Sequence, residues 1–150
     1  MEHLKMRSTA FDDQAPIPDE YSHAAGDVHP PLRWEETPAD AAELVLSAED
    51  PDAPSGTFVH WLLAGIPPET DGLDAGEQPT GGVEGRNDYG ATGYGGPNPP
   101  EGDEPHRYFF RLYALSRPSG LSTGFTEEDL RIVLRENVIA SGTLVGTYAR

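Results

Sequence analysis

Two carboxylates and one imidazole lie close together in the first half of the sequence. Asp50 and Asp52 flank Pro51, and His60 follows inside an apolar stretch. Proline biases the residue before it toward an extended conformation, in which residues two apart point to the same side. The spacing therefore predicts that Asp50 and Asp52 present two carboxylates to one side, just before the predicted strand that carries His60.

A second polar stretch carries another imidazole. Glycine and proline make up most of the segment from Gly93 to Gly102, and His106 and Tyr108 follow at the beginning of a predicted strand. Because these two side chains are two residues apart, both can face one pocket. An aspartate that hydrogen-bonds a histidine orients the ring and favours its protonated form. A protonated imidazole and a tyrosine hydroxyl are both hydrogen-bond donors.

The same residue types permit other interpretations. A histidine in a strand is typical of a core residue satisfied by one hydrogen bond, and an aspartate beside proline is typical of a turn. His60 or His106 oriented by an aspartate would also suit a hydrolase. Neither stretch places a Ser, Cys or Thr as an activated nucleophile, since Ser55 follows Pro54 in a predicted turn. Two aspartates and two histidines are also a ligand set for a divalent metal ion.

Composition excludes several classes of protein. The 150 residues (16.2 kDa) carry 10 basic and 26 acidic side chains, and the net charge of −16 repels nucleic acid and anionic membranes. The chain has no cysteine, which excludes disulfides, thiolate zinc sites and a Cys nucleophile. No apolar run approaches the roughly 20 residues of a spanning helix, and the N-terminus lacks the apolar region of a secretion signal. The sequence therefore predicts a cytoplasmic protein with no membrane insertion.

Lysine is almost absent, since Lys5 is the single lysine and every other basic residue is arginine. An acidic excess with so little lysine is the surface expected of a protein in concentrated salt, where screening removes most self-repulsion. The composition thus predicts a halophilic protein.

Short strands dominate the predicted secondary structure. Aromatic and aliphatic residues bounded by Pro or Gly predict strands over 43–47, 58–63 and 108–115, with weaker candidates over 4–11 and 141–148. In the strand over 58–63, strict alternation would place three residues on each face. The predicted faces are Phe58, His60 and Leu62 on one side, and Val59, Trp61 and Leu63 on the other.

One segment late in the chain is helical in pattern. Thr126 precedes three acidic residues, which predicts an N-cap, and apolar residues then recur at helical spacing until Ser141 and Gly142. A Gly- and Pro-rich segment from Gly65 to Pro105 predicts long loops, which are often functional. Several strands with one helix predict an all-β (mostly) fold, a β-sandwich formed by a single domain over residues 1–150.

The two polar stretches resemble the paired signatures of the phosphatidylethanolamine-binding protein family, which includes the Raf kinase inhibitor protein. Asp50 to Pro54 with His60-Trp61 resembles the first signature, and Gly96 to Pro100 with His106-Arg107-Tyr108 resembles the second. The similarity continues over nearly the whole chain. Further segments in family order are Ile17-Pro18, Pro30 to Trp34, Asn87 to Gly90, Leu112 to Leu115 and Gly146 to Tyr148.

This resemblance implies a Greek-key β-sandwich with a small surface cavity that binds phosphate, phosphorylated headgroups or carboxylates. It implies no cofactor and no metal. The sequence ends soon after Tyr148, and in this it resembles the short prokaryotic and archaeal members of the family. The resemblance does not imply the kinase regulation known for the longer members. Some relatives inhibit a kinase or a protease, so the resemblance also leaves open an interaction module of that kind. A homodimer is compatible with the resemblance as well. The implied ligand-binding residues are Asp50, Asp52, His60, Gly96, Pro97, His106 and Tyr108.

Two positions depart from the family pattern. His29 precedes the double proline where relatives commonly have a small polar residue, and Asn98 lies where many bacterial members carry Cys. Neither is among the implied pocket side chains, and Asn98 excludes any thiol-dependent property.

Overall fold

The computed structural model describes residues 2–150, and most of its regular structure is β-strand. One α-helix, α1, spans Glu127–Asn137, and a single 3-10 turn spans Asp19–Tyr21. The strands, in chain order, are β1 Glu2–His3, β2 Lys5–Arg7, β3 Ala15–Pro16, β4 Leu32–Glu35, β5 Glu43–Asp50, β6 Phe58–Ile66, β7 Gly72–Leu73, β8 Val83–Glu84, β9 His106–Leu115 and β10 Val138–Tyr148.

These strands form two sheets. The larger sheet has the order β1-β10-β9-β5-β6-β8, and β3 pairs with β10 beside this path. Its four longest strands, β5, β6, β9 and β10, are antiparallel to their neighbours among them, and β9 lies between β5 and β10. The smaller sheet has the order β2-β4-β7. The predicted mostly-β architecture with one helix is confirmed.

The main core lies between the two sheets. Leu32 and Trp34 of β4 are buried against alternate residues of β5 and β9, which point to one face as the period of a strand requires. Asp50 at the end of β5, and His106 and Tyr108 at the beginning of β9, continue these rows. The alternation therefore brings three polar side chains to the end of the apolar core. The core members of the two rows are Leu44, Leu46, Ala48, Phe110, Leu112 and Ala114.

The helix covers the other face of the larger sheet. Thr126 caps it, because its side chain accepts a hydrogen bond from the Asp129 backbone while the Asp129 carboxylate accepts one from the Thr126 backbone. Leu130 is buried in a second apolar cluster with residues of β5 and β6. The helix ends at Asn137, earlier than the Ser141-Gly142 signal predicts. The β-branched Val138 and Ile139 pass directly into β10, where pairing with β9 replaces the helical hydrogen bonds.

Two local expectations are wrong. The segment over 4–11 forms only the short strand Lys5–Arg7. In β6 the predicted faces are not kept, because Val59 packs with Leu62 beside the helix while Trp61 packs in the main core. The cause is a β-bulge: Glu49 pairs with Val59 and Ala48 with Trp61, which leaves one extra residue in β6 between the two pairs.

Candidate functional site

A cavity of about 230 Å³ opens where β5, β6 and β9 meet the glycine- and proline-rich loops. It is smaller than the roughly 300–1,000 Å³ of sites for drug-sized ligands, so it admits only a small group. Four of the seven residues implied by the sequence resemblance line it. The complete lining is Asp50, Ala53, Pro54, Phe58, His60, Tyr89, Asn98, Pro99, Pro100, His106 and Tyr108.

Asp50 and His106 form a buried pair in the cavity wall. His106 Nδ1 lies 2.7 Å from Asp50 Oδ2, and the two residues are 5% and 3% exposed. Asp50 Oδ1 accepts a second hydrogen bond, 2.7 Å long, from the backbone N–H of Asp52. Burial lowers the pKa of His106, but hydrogen bonds to Asp50 and Asp103 raise that pKa by more, and the net change is upward. The hydrogen bonds to the two carboxylates therefore favour the protonated form of the His106 imidazole.

The bulge in β6 puts His60 and Trp61 on the same side of the sheet, with His60 in the cavity wall and Trp61 in the main core. His60 is the extra residue between the pairs of Val59 and Trp61, so its backbone carbonyl is free to accept the N–H of Gly95 at 2.8 Å. The ring in turn donates from Nδ1 to the Gly95 carbonyl at 2.7 Å. Burial lowers the pKa of His60, although the Gly95 carbonyl and Asp50 act in the opposite direction. His60 is therefore neutral at pH 7, with the proton on Nδ1 and an acceptor at Nε2.

Tyr108 lines the cavity beside His60, with the two ring centroids 5.2 Å apart. The side chain is 2% exposed, and its hydroxyl has no hydrogen-bond partner among residues 2–150. Burial, and then the negative charge of Asp50, raise the pKa of Tyr108 well above its ordinary value. The hydroxyl therefore stays protonated and can donate a hydrogen bond.

Asp52 lies outside the cavity lining. Its carboxylate accepts bidentate hydrogen bonds of 2.9 Å from Arg107 Nε and Nη2, and a third of 2.9 Å from the Arg107 backbone. These bonds lower the pKa of Asp52 to about 2. Asp50 and Asp52 thus point to different partners, because the turn after β5 directs the second carboxylate to the solvent-facing side of β9. Asp52 connects the turn to β9 without facing the cavity.

Gly96 and Pro97 also lie behind the cavity and contribute no lining surface. The Gly96 backbone donates to Asp27 Oδ1 and accepts from the Tyr89 hydroxyl at 2.7 Å, while the Pro97 carbonyl accepts from the backbone of His23. A Cβ on Gly96 would collide with the backbone at Tyr21. These two residues position the rim, which is formed by Asn98, Pro99 and Pro100.

Several lining residues were not among the predicted site residues. Tyr89 belongs to the segment Asn87 to Gly90 that resembles the family, so a signal for it was present in the sequence. Phe58 precedes His60 by two residues, and strand alternation places it on the same side. Asp103 does not line the cavity, but its Oδ2 atom lies 3.1 Å from His106 Nε2. No local pattern marks Asp103 among the neighbouring acidic residues.

His29, whose role the sequence leaves open, is a core residue. It is 2% exposed and stacks on Trp61 with ring centroids 4.5 Å apart. Its two ring nitrogens lie 2.9 Å from the Pro30 carbonyl oxygen and 2.8 Å from that of Glu77. His29 therefore connects the loop before β4 to the loop between β7 and β8. Among residues 2–150, no group of three or more His, Cys, Asp or Glu side chains is arranged to hold a metal ion.

Comparison with known proteins decides the family. A family model described as phosphatidylethanolamine-binding protein matches residues 7–149. The chain belongs to the phosphatidylethanolamine-binding protein family. A relative from Methanothermobacter thermautotrophicus, named UPF0098 protein, is 41% identical over 152 residues, which cover 98% of this chain and 99% of the relative. A relative from Mycobacterium tuberculosis, which carries the name lipoprotein LppC, is 40% identical over 147 residues, covering 98% of this chain and 73% of its own.

Solved structures of phosphatidylethanolamine-binding protein relatives have the same fold. The homologue CT736 from Chlamydia trachomatis has a TM-score of 0.92 at 35% identity, covering 100% of this chain and 99% of its own. Escherichia coli YbcL, described as a member of the mammalian family, has a TM-score of 0.91 at 27% identity over 99% of each chain. Within residues 2–150, no helix has both the length and the apolar character needed to cross a membrane.

Proposed function

We propose that the cavity binds a small anion: inorganic phosphate, a phosphorylated headgroup or a carboxylate. The observation that carries this proposal is the Tyr108 hydroxyl, which is buried in the cavity wall and has no partner among residues 2–150. A hydrogen bond to an anionic oxygen is the strong interaction for which such a donor is suited. Membership of the phosphatidylethanolamine-binding protein family supports the same assignment.

The charges around the cavity are compatible with an anion despite the buried carboxylate. Asp50 is neutralised by the imidazolium of His106 at 2.7 Å, and both of its oxygens already accept hydrogen bonds. It therefore presents little uncompensated negative charge to a ligand. Two neighbouring carboxylates have partners of their own, since Asp52 is paired with Arg107 and Asp103 Oδ2 lies 3.1 Å from His106 Nε2. The remaining lining is aromatic rings, prolines and the amide of Asn98.

The protonation state of His60 favours a phosphate group. Its Nδ1 proton is committed to the Gly95 carbonyl, so Nε2 of the neutral ring can only accept. A phosphate monoanion has a P–OH group to donate to Nε2 and further oxygens to accept from Tyr108. A carboxylate has only acceptors, so it would require His60 to take up a proton on binding. Only a ligand with a P–OH group gains this bond, so we expect the phosphate monoanion to bind more tightly than a carboxylate, a phosphate dianion or a phosphodiester while His60 is neutral.

A hydrolase is the less supported assignment. The cavity lining contains His60, His106 and Asp50 but no Ser or Thr that these groups could activate. Attack by water would require a general base with a free acceptor, and His60 Nε2 has that character. Phosphate release from a phosphorylated headgroup is therefore worth measuring beside binding.

Calorimetric titration of the full chain in molar KCl tests the proposal. The ligands are inorganic phosphate, O-phosphoethanolamine, acetate and ethanolamine, and the salt screens the repulsion of the −16 net charge. Similar affinities for phosphate and O-phosphoethanolamine would assign the site to the phosphate group alone. Tighter binding of O-phosphoethanolamine would indicate a headgroup site, and binding of ethanolamine alone would contradict an anion site. Dissociation constants weaker than about 10 mM for every anion, less than ~3 kcal/mol, would overturn the proposal.

A further inference from the structure

Asp103 lies outside the cavity but contacts His106, which lines it. It lies on the loop between the rim and β9, where Gly102 adopts a positive φ of 87° and the Asp103 backbone N–H reaches the Pro100 carbonyl. Its side chain is 43% exposed, and its Oδ2 atom lies 3.1 Å from His106 Nε2. His106 therefore lies between a buried carboxylate on the cavity side and an exposed one on the solvent side.

The geometry determines the protonation state of this ring. Nδ1 faces the Asp50 carboxylate and Nε2 faces the Asp103 carboxylate, and ionised carboxylates only accept hydrogen bonds. Only the imidazolium form carries a proton on both nitrogens. We propose that Asp103 is a positioning residue, which holds His106 in the doubly hydrogen-bonded imidazolium form and so sets the charge of the cavity wall from outside it.

The other charged groups near His106 do not replace Asp103. Asp52 has its own partner in Arg107, whose guanidinium is paired rather than free to act on the ring. Glu104 borders the same outer depression as Asp103 but makes no hydrogen bond to His106. Hydrogen bonds to both Asp50 and Asp103 are among the causes that raise the pKa of His106 against burial. The titratable and charged groups around His106 are Asp50, Asp52, Asp103, Glu104, Arg107, His60, Tyr108 and Tyr148.

This arrangement makes the cavity sensitive to pH. Below the folded pKa of His106 the ring is charged, and Asp50 is neutralised beside the ligand. As the pH rises through that pKa, the ring loses one donor and Asp50 becomes an uncompensated negative charge in the wall. Anion binding is then weakened, a consequence that rests on the proposed function. Because the Asp103 contact stabilises the charged ring, it extends binding to higher pH.

NMR titration of the imidazole carbons in the full chain tests the role of Asp103 without any ligand. In Asp103→Asn the midpoint of the His106 titration is expected to move to lower pH. In Asp103→Glu the midpoint is expected to lie between those of Asp103→Asn and wild type. Glu104→Gln is the matched control, because it removes the same charge from the same loop without touching the ring. Calorimetry with phosphate at a pH between the two midpoints is expected to show about two- to fivefold weaker binding by Asp103→Asn, the size of an exposed pair.

The results separate a direct contact from the general field of an acidic surface. A shift in Asp103→Asn that persists in molar KCl, with no shift in Glu104→Gln, would support the positioning role. Equal shifts in both variants, or no shift in Asp103→Asn, would overturn it. A shifted His106 midpoint in a protein that binds no anion would leave this role intact while the proposed function fails.

Discussion

Replacement of Tyr108 by phenylalanine should separate binding from folding. The variant removes one hydroxyl and keeps the ring, so the contact with His60 at 5.2 Å between centroids and the packing of the core remain. A hydrogen bond to a charged group is worth about 1.5–3 kcal/mol, and its loss should weaken phosphate binding by about 10- to 150-fold.

The same substitution should not destabilise the protein. The hydroxyl is buried and makes no hydrogen bond to any atom of residues 2–150, so phenylalanine breaks none. A buried polar group without a partner costs about 1–3 kcal/mol, and removing it should leave the free energy of unfolding unchanged or raise it by up to that amount. For a chain of this size each kcal/mol corresponds to roughly 2–4 °C in melting temperature.

Tyr113→Phe is the matched control. Tyr113 lies on the same strand but on the opposite face, in a cleft under α1 where it is near Ser47. This variant should bind phosphate like the wild type. Calorimetry with phosphate and thermal unfolding without ligand should be measured for all three proteins in the same molar KCl buffer.

Two results would refute the reasoning about Tyr108. Equal affinities for wild type and Tyr108→Phe would show that the hydroxyl does not meet the ligand. A fall of more than about 1 kcal/mol in the unfolding free energy of Tyr108→Phe would show that the hydroxyl has a structural partner, since a typical hydrogen bond contributes about that much.

Three further predictions concern stability. The melting temperature should rise from dilute to molar KCl, because salt screens the net charge of −16, and a flat or falling series would contradict a halophilic protein. His106→Ala should lower the unfolding free energy by at least about 2 kcal/mol at pH 7, because it leaves the buried Asp50 without its partner. Urea denaturation measures this change, and an unchanged value would contradict the pair. His60 has a lowered pKa in the folded state, so its neutral form stabilises the fold above its ordinary pKa of 6.5 and that stability is lost as the pH falls below it. His60→Asn can still donate a hydrogen bond to Gly95, so its unfolding free energy should fall less than that of wild type between pH 8 and pH 5. If the unfolding free energies of the two proteins change equally with pH, His60 does not have a lowered pKa in the folded state.

The local sequence pattern was sufficient to predict the strands and the helix that surround the site. Apolar runs bounded by Pro and Gly marked β5, β6, β9 and β10, and the Thr126 cap marked the helix, since both signals act over a few residues. Alternation at the beginning of β9 predicted that His106 and Tyr108 face one pocket, and the family resemblance implied that Asp50 lies in the same pocket. The composition likewise determined the absence of thiol chemistry and the strongly negative surface.

Only the tertiary structure decided what each polar side chain does. The bulge that puts His60 and Trp61 on the same side arises from the pairing of β6 with β5, and the alternation of β6 alone does not predict it. Asp52 points outward because Arg107, 55 residues away, donates two side-chain hydrogen bonds to its carboxylate. In the sequence nothing distinguishes Asp103 from the neighbouring Glu101 and Glu104, and only the folded loop places its carboxylate beside His106. The strands follow from short-range periodicity, whereas the charge state of each histidine depends on which distant carbonyl or carboxylate the fold brings to its ring nitrogens.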